Sequence, residues 1–196
     1  ELSTASDSVE IEVEAPPLTH DNGLGGFTSG GREYAIVLRG EEDTPSPWVN
    51  VIANERFGTV VGAPGAAWAE NSRENRLTAF GNDPVSEFAG EALYLRDEDS
   101  GETWGATPGP LPRSRDDGRW ITRHGAGVTR FAHGAHGVTC ELAVFVHTEE
   151  PLKFTLLSLT NHTRRLRRLS VVTYHEWALC PPRGGENRFV FTEQHP

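Results

Sequence analysis

The chain has 196 residues, room for one sizeable domain and too few for a second independent core. A hydrophobic content of 36% with 23% charged residues describes a globular chain rather than a disordered one. The formal net charge of −10 argues against a general nucleic-acid binder, which needs a basic face to displace counterions.

Residues 1–10 are polar and read as a frayed segment, leaving 11–196 as one domain. "VEIEVEA" (9–15) alternates Val9, Ile11 and Val13 with Glu10, Glu12 and Glu14, the pattern of a half-buried strand with an acidic outer face. "NGLGGFTSGGR" (22–32) is a Gly-rich turn. No Lys-Ser/Thr follows it and "REYAIVL" reads as strand, so it is not a phosphate loop. "WVNVIAN" and "FGTVVG" are strand-like, and "WAENSRENRLTAFGNDPV" (68–85) reads as a long polar loop. "EALYLRDEDSGETWG" forms two strands around an acidic turn from Asp97 to Gly101. Hairpin tips favour Asp, Ser and Gly for backbone reasons, so these acids need no metal.

The second half is more regular. "GVTRFAH", "GAHG" and "VTCELAVFV" make a hairpin, with Cys140 in phase with Val138, Leu142, Val144 and Val146 and hence facing the core. "LKFTLLSLT", "NHTRR" and "LRRLSVVTYHEWAL" make a second hairpin, so 138–146, 152–160 and 167–178 are expected as neighbouring strands. The basic run "RRLRR" (164–168) reads as a solvated turn and strand start, and "NHT" (161–163) as a chance glycosylation triplet. β-Branched and aromatic runs, with 13 prolines scattered through loops, leave little room for helix. The expected fold is an all-β, large antiparallel β-sandwich.

No stretch approaches the roughly 20 apolar residues that span a bilayer, and no signal-peptide pattern is present. No direct membrane contact is therefore expected. Cys140 and Cys180, without evident pairing, suit a reducing, cytoplasmic compartment. The chain contains no Met and both ends read as cuts in a longer polypeptide.

The runs "NGLGGF", "GREYAIVL", "TPSPWVNVIAN", "FGTVV", "ENSRENRLTAFGNDPVSE", "GEALYLRDEDSGE", "RHGAGVTRFAH" and "HTEEPLKFTLLSLTNHTRRLRRLSVVTYHEW" occur in that order between residues 22 and 177. In wording and order they resemble the N-terminal β-sandwich domain of glycoside hydrolase family 94, the inverting disaccharide phosphorylases. The nearest version is that in the C-terminal phosphorylase region of cyclic β-1,2-glucan synthases. The resemblance implies the super-sandwich shared with galactose mutarotase-like domains, here truncated at its C-terminus. It also implies phosphorolysis of β-glucosidic bonds by the parent protein, trimming and so setting the length of β-1,2-glucan chains.

The family's general-acid Asp and phosphate ligands lie in a separate (α/α) barrel that is not in this sequence. Inverting cleavage needs a carboxylic acid at the leaving oxygen. The fragment itself is therefore expected to be non-catalytic, with no cofactor or metal. Its implied partners are a β-glucan or gluco-oligosaccharide, the parent's barrel and, in a homodimer, a second subunit. Any inner-membrane anchor of the parent would lie in other segments.

Two stretches are candidate carbohydrate contacts. Sugar hydroxyls donate and accept together, so sugar sites combine Asn, Arg and carboxylates with an aromatic platform. Trp68, Asn71, Arg73, Asn75 and Arg76 supply that mixture. Alternatively, Arg73 and Arg76 pair with Glu70, Glu74 or Asp83 and pin the loop. In "RHGAG", Arg123 and His124 beside two glycines present charge and imidazole at a strand start, or else satisfy backbone groups around a bulge. An independent carbohydrate-binding module is one rival reading, and a mutarotase-like aldose epimerase with a His/Glu pair is another. His175 and Glu176 are adjacent, however, and adjacent strand residues face opposite sides unless the strand breaks.

Overall fold

The computed structural model describes residues 11–63, 65, 67–71, 76–78, 90–115, 118–180, 191, 193 and 194. Among them there is no helix; fifteen strands form three sheets, and every pairing is antiparallel. The strands are β1 (Leu18–Thr19), β2 (Gly25–Thr28), β3 (Glu33–Arg39), β4 (Val49–Ala53), β5 (Phe57–Gly62), β6 (Ala67–Asn71), β7 (Arg76–Thr78) and β8 (Glu91–Asp97). They continue with β9 (Thr103–Gly105), β10 (Arg119–Gly125), β11 (Val128–Ala135), β12 (Val138–Val146), β13 (Lys153–Asn161), β14 (Leu169–His175) and β15 (Trp177–Cys180). The largest sheet runs β1-β2-β3-β10-β11-β12-β13; the others are β15-β7-β6-β5-β4 and β14-β8-β9.

The sandwich arises because one face of each long strand is apolar. On β12, Val138, Cys140, Leu142 and Val144 are all buried, as their alternation requires. They meet Leu93, Leu95 and Trp104 of the three-stranded sheet and Ile52 and Val61 of the five-stranded sheet in one cluster. The smaller sheets together form the second layer. Burying a side chain such as Leu95 or Val61, both fully inaccessible, contributes about 1.5–3 kcal/mol. The β11–β12 turn places His136 and Gly137 at φ 50° and 77°, the paired left-handed geometry that suits strand twist. Gly65 at φ 96° lies against Thr107, and a Cβ there would come within 2.3 Å of the Thr107 side chain.

Several elements differ from the sequence expectation. Residues 11–15 alternate in burial but join no ladder. β10 and β11 already have partners on both edges, so the segment crosses the outer face instead. Arg119 Nη1 donates to Val13 O (3.1 Å), and Ile11 O sits over Gly134. The Gly-rich turn contains a strand, β2, which pairs with β3. The polar loop of 68–85 is partly strand as well: β6 pairs with β5, and β7 with β15. Residues 72–75 and 79–89 lie outside the described set. The glycines of 123–127 make no bulge. Gly125 opposes Val128 across a two-residue turn in which Gly127 takes φ 75°.

The largest correction concerns 152–178. β12 and β13 are neighbours as expected, but β14 does not pair with β13. It crosses to the other layer and pairs with β8 along its whole length, Leu169 opposite Asp97 and His175 opposite Glu91. The crossing is fixed by Arg167, which is not solvated: its side chain is 3% exposed and its Nε donates to Asp97 Oδ2 (2.8 Å). The Asn161 side chain in the same link accepts from Thr163 N (3.0 Å) and donates to Arg165 O (2.9 Å). The acidic turn is structural. Asp97 is buried and caps the backbone N–H groups of Asp99 (2.8 Å) and Ser100 (3.3 Å).

Candidate functional site

The structure separates the two residues of "RHGAG". On β10, Thr122 and His124 face the second layer, and Arg123 faces out. His124 Nε2 lies 3.2 Å from Trp48 O, and Nδ1 lies 3.0 Å from Thr129 Oγ1. A carbonyl only accepts, so Nε2 carries the proton and Nδ1 accepts the Thr129 hydroxyl. Thr129 Oγ1 in turn accepts from Asn50 Nδ2 (3.1 Å). Burial pushes the His124 pKa down, opposed by the Trp48 carbonyl, so the imidazole is held neutral with both nitrogens occupied. Arg123 lies 3.7 Å from Glu33, whose other oxygen accepts from Arg130 Nη1 (2.8 Å). Arg123 and His124 therefore form no common site.

Of the other candidates, Trp68 and Asn71 lie on β6 opposite Val60 and Phe57, and Arg76 lies on β7 opposite Glu70. Arg73 and Asn75 fall between these strands, outside the described residues. The register puts Asn71 at the end of the sheet where β5 begins. The 54–57 and 147–152 turns meet there, with Asn54 Nδ2 donating to His147 O and Glu150 O, each at 2.8 Å. By register Asn71 thus lies at one rim of the sandwich.

Between the layers is a cavity that sequence reasoning missed. It has a volume of about 110 Å³ and an apolar floor of Leu93, Phe131 and Leu142. Glu91, Lys153 and His175 stand at its edge. Glu91 forms an ion pair with Lys153, each side chain 11% exposed, and accepts from Thr78 Oγ1 (2.9 Å). The signal was present in the strand phase: Glu91, Leu93, Leu95 and Asp97 share one face of β8, and Lys153 shares the inward phase of Leu157. A charged residue in an inward phase marks a buried pair.

The strand does break at Glu176, where β14 ends and β15 begins, and Glu176 N donates to Gly90 O (2.8 Å). The break leaves His175 at the cavity edge, stacked on Trp177 with ring centroids 4.9 Å apart. The carboxylate that shares this cavity is Glu91, not Glu176, and it is engaged by Lys153 and Thr78. Burial opposes charge on Asp97, but the N–H groups of Asp99 and Ser100 and the Arg167 guanidinium outweigh it and hold the carboxyl below the usual range. Neither interior carboxylate of β8 is arranged to deliver a proton. Among the described residues, no group of three or more His, Cys, Asp or Glu is placed to hold a metal.

Comparison with known proteins agrees with this geometry. The family model for the glycosyl hydrolase 94 supersandwich domain matches residues 32–196. The chain is 41% identical over 194 residues to the cyclic β-(1,2)-glucan synthase NdvB of Rhizobium meliloti (strain 1021), covering 98% of this chain and 7% of that protein. It is 32% identical over 161 residues to the solabiose phosphorylase of Paenibacillus borealis, covering 80% of this chain and 20% of the relative. It is 29% identical over 156 residues to the N,N'-diacetylchitobiose phosphorylase of Vibrio proteolyticus, covering 79% and 19%. The chain thus spans a fifth or less of the length of these relatives. It belongs to the glycosyl hydrolase 94 family, as a supersandwich domain.

Proposed function

We propose that this domain is a non-catalytic part of a cytoplasmic enzyme that remodels β-1,2-glucans. It packs against the parent's catalytic (α/α) barrel, shapes the sugar cleft and so supports control of glucan chain length. The observation that carries this reading is the 41% identity to a cyclic β-(1,2)-glucan synthase across 98% of the chain. The local chemistry supports a non-catalytic role: an inverting phosphorylase needs a proton donor at the leaving oxygen. The interior carboxylates Glu91 and Asp97 are instead engaged by Lys153 and Arg167.

In this reading the connection between β6 and β7 reaches the cleft, with Arg73 as the sugar contact and Arg76, placed within β7, as a structural residue. Losing a charge-assisted hydrogen bond to a sugar hydroxyl costs about 1.5–3 kcal/mol, roughly one to two decades in rate. Arg73→Ala in the parent enzyme should lower kcat/KM for phosphorolysis by about that factor and leave the melting temperature unchanged. Arg76→Ala should mainly lower the melting temperature. Normal kinetics with lost stability in Arg73→Ala would show that the connection is structural.

A further inference from the structure

We propose that Asn22–Gly23 is a self-modification site, forming a succinimide and then aspartate or isoaspartate, which the folded turn holds closed and which opens when β2 leaves β3. The pair stands in "NGLGGF", where the chain turns into β2. Asn before Gly favours this chemistry, because no side chain on the second residue crowds its nitrogen. Both residues are exposed, so water reaches them.

In the reaction the Gly23 nitrogen loses its proton and bonds to Asn22 Cγ. The Cγ–Nδ2 bond breaks, and the amide nitrogen departs as ammonia with the displaced proton. Water then adds to one or the other carbonyl of the ring, giving aspartate or isoaspartate.

The turn opposes these steps. Gly23 N donates to Asp21 Oδ1 at 2.8 Å. The electron pair that would attack lies along that N–H direction, so it points at Asp21 and not at Asn22 Cγ. The Asp21 carboxylate also sets negative charge beside a nitrogen that must become an anion. Asn22 Cγ is held as well, because its oxygen accepts from Leu24 N (3.1 Å) and Gly25 N (3.0 Å). Asn22 Nδ2 donates to Tyr34 Oη at 3.2 Å. Swinging the side chain onto Gly23 leaves two backbone donors unpaired and breaks the bond to Tyr34. Two N–H groups on the amide oxygen resemble an oxyanion hole, which would favour attack. They assist only a nucleophile that reaches Cγ, and Gly23 N is turned away.

The same contacts tie the site to the sheet. Gly25 opposes Ile36 and Phe27 opposes Tyr34, so β2–β3 pairing brings Asn22 and its phenol partner together. Val37 N donates to Leu24 O at 2.8 Å, and Leu24 packs against the cluster of Ile36, Leu38 and Trp120. Isoaspartate lengthens the main chain by one methylene and withdraws the side-chain oxygen from Leu24 and Gly25. Opening of β2 therefore exposes the site, and conversion then keeps β2 from returning. The inference stands on these residues alone and is independent of any role in glucan chemistry.

The test is the rate of isoaspartate formation at residue 22, followed by peptide mapping of the 196-residue chain in mildly alkaline buffer with and without unfolding urea. Conversion should be at least about tenfold slower in the folded chain, on the scale of one or two hydrogen bonds. Asp21→Ala should speed conversion in the folded chain and leave the rate in urea near that of wild type. Tyr34→Phe should speed it less. Melting curves in the same buffer show that each variant is folded. Should Asp21→Ala fail to fold, Asp21→Ser, which keeps an acceptor without the charge, carries the same comparison. Equal rates in the folded and unfolded chain, or a folded Asp21 variant that converts no faster than wild type, would overturn the proposal. So would faster conversion in the folded chain, which would make the turn a promoter of the reaction through the N–H pair on Oδ1.

Discussion

The two ends of β8 make a controlled comparison. Each carries a carboxylate on the buried face, Asp97 at one end and Glu91 at the other, and each meets a cation from a distant segment. Asp97 is fully inaccessible, takes two backbone N–H donors besides Arg167, and sits where the chain crosses between layers. Glu91 sits at a cavity edge with Lys153, Thr78 and a slightly larger share of solvent. The first pair closes one side of the sandwich. The second lines the cavity between the layers. What differs is not the charge chemistry but how many fixed dipoles each carboxylate has.

The largest effect is expected at the closed end. Asp97→Ala leaves the Arg167 guanidinium buried without its counter-ion, a loss of about 3–5 kcal/mol, and frees the turn whose N–H groups Asp97 caps. Denaturant unfolding reads this directly. The pH dependence has a defined sign. The folded carboxyl lies below its ordinary 3.8, so its contribution is complete above that value and disappears as pH falls below it. The stability gap between wild type and Asp97→Asn should therefore be constant above about pH 4 and shrink in stronger acid. A gap that persists unchanged at low pH would mean the carboxylate charge contributes nothing.

At the cavity end the expected loss is smaller. Lys153→Met strands Glu91 beside an apolar floor and should cost about 3 kcal/mol, whereas Lys153→Met with Glu91→Leu should recover most of that loss, because both charges leave together. If the double variant is as unstable as the single one, the pair is doing more than balancing its own burial.

The smallest effect concerns His124. With its folded pKa below the ordinary 6.5, the neutral ring stabilises the fold fully above that value and progressively less as pH falls through the folded pKa. His124→Gln should cost about 1 kcal/mol near pH 8, the scale of one hydrogen bond, and less near pH 5. A pH-independent cost would show that the imidazole acts only through packing.

Strand identity was legible in the sequence wherever one face is apolar: Cys140 sits in the core because Val138, Leu142 and Val144 share its phase. Partner choice was not. β13 and β14 look like a hairpin because a short link joins them, yet the buried Asp97–Arg167 pair draws the chain into the other layer, and a pair of residues 70 positions apart leaves no local pattern. β6 and β7 were read as loop because polar residues in "WAENSRENRLT" match no alternation; pairing with β5 and β15 supplies their hydrogen bonds instead. Arg123 and His124 drew notice for residue type alone. Strand alternation, which puts neighbours on opposite faces, already argued against a joint site.

The central claim is that this domain supports chemistry performed elsewhere in its parent. Release of glucose 1-phosphate from β-1,2-gluco-oligosaccharides and inorganic phosphate tests it most directly, assayed side by side for the purified 196-residue chain and the parent enzyme. The account predicts release by the parent and none above the enzyme-free control by the 196-residue chain at any pH between 5 and 8. Turnover by the 196-residue chain, abolished by Glu91→Gln, would contradict it and place a proton donor in the cavity between the sheets.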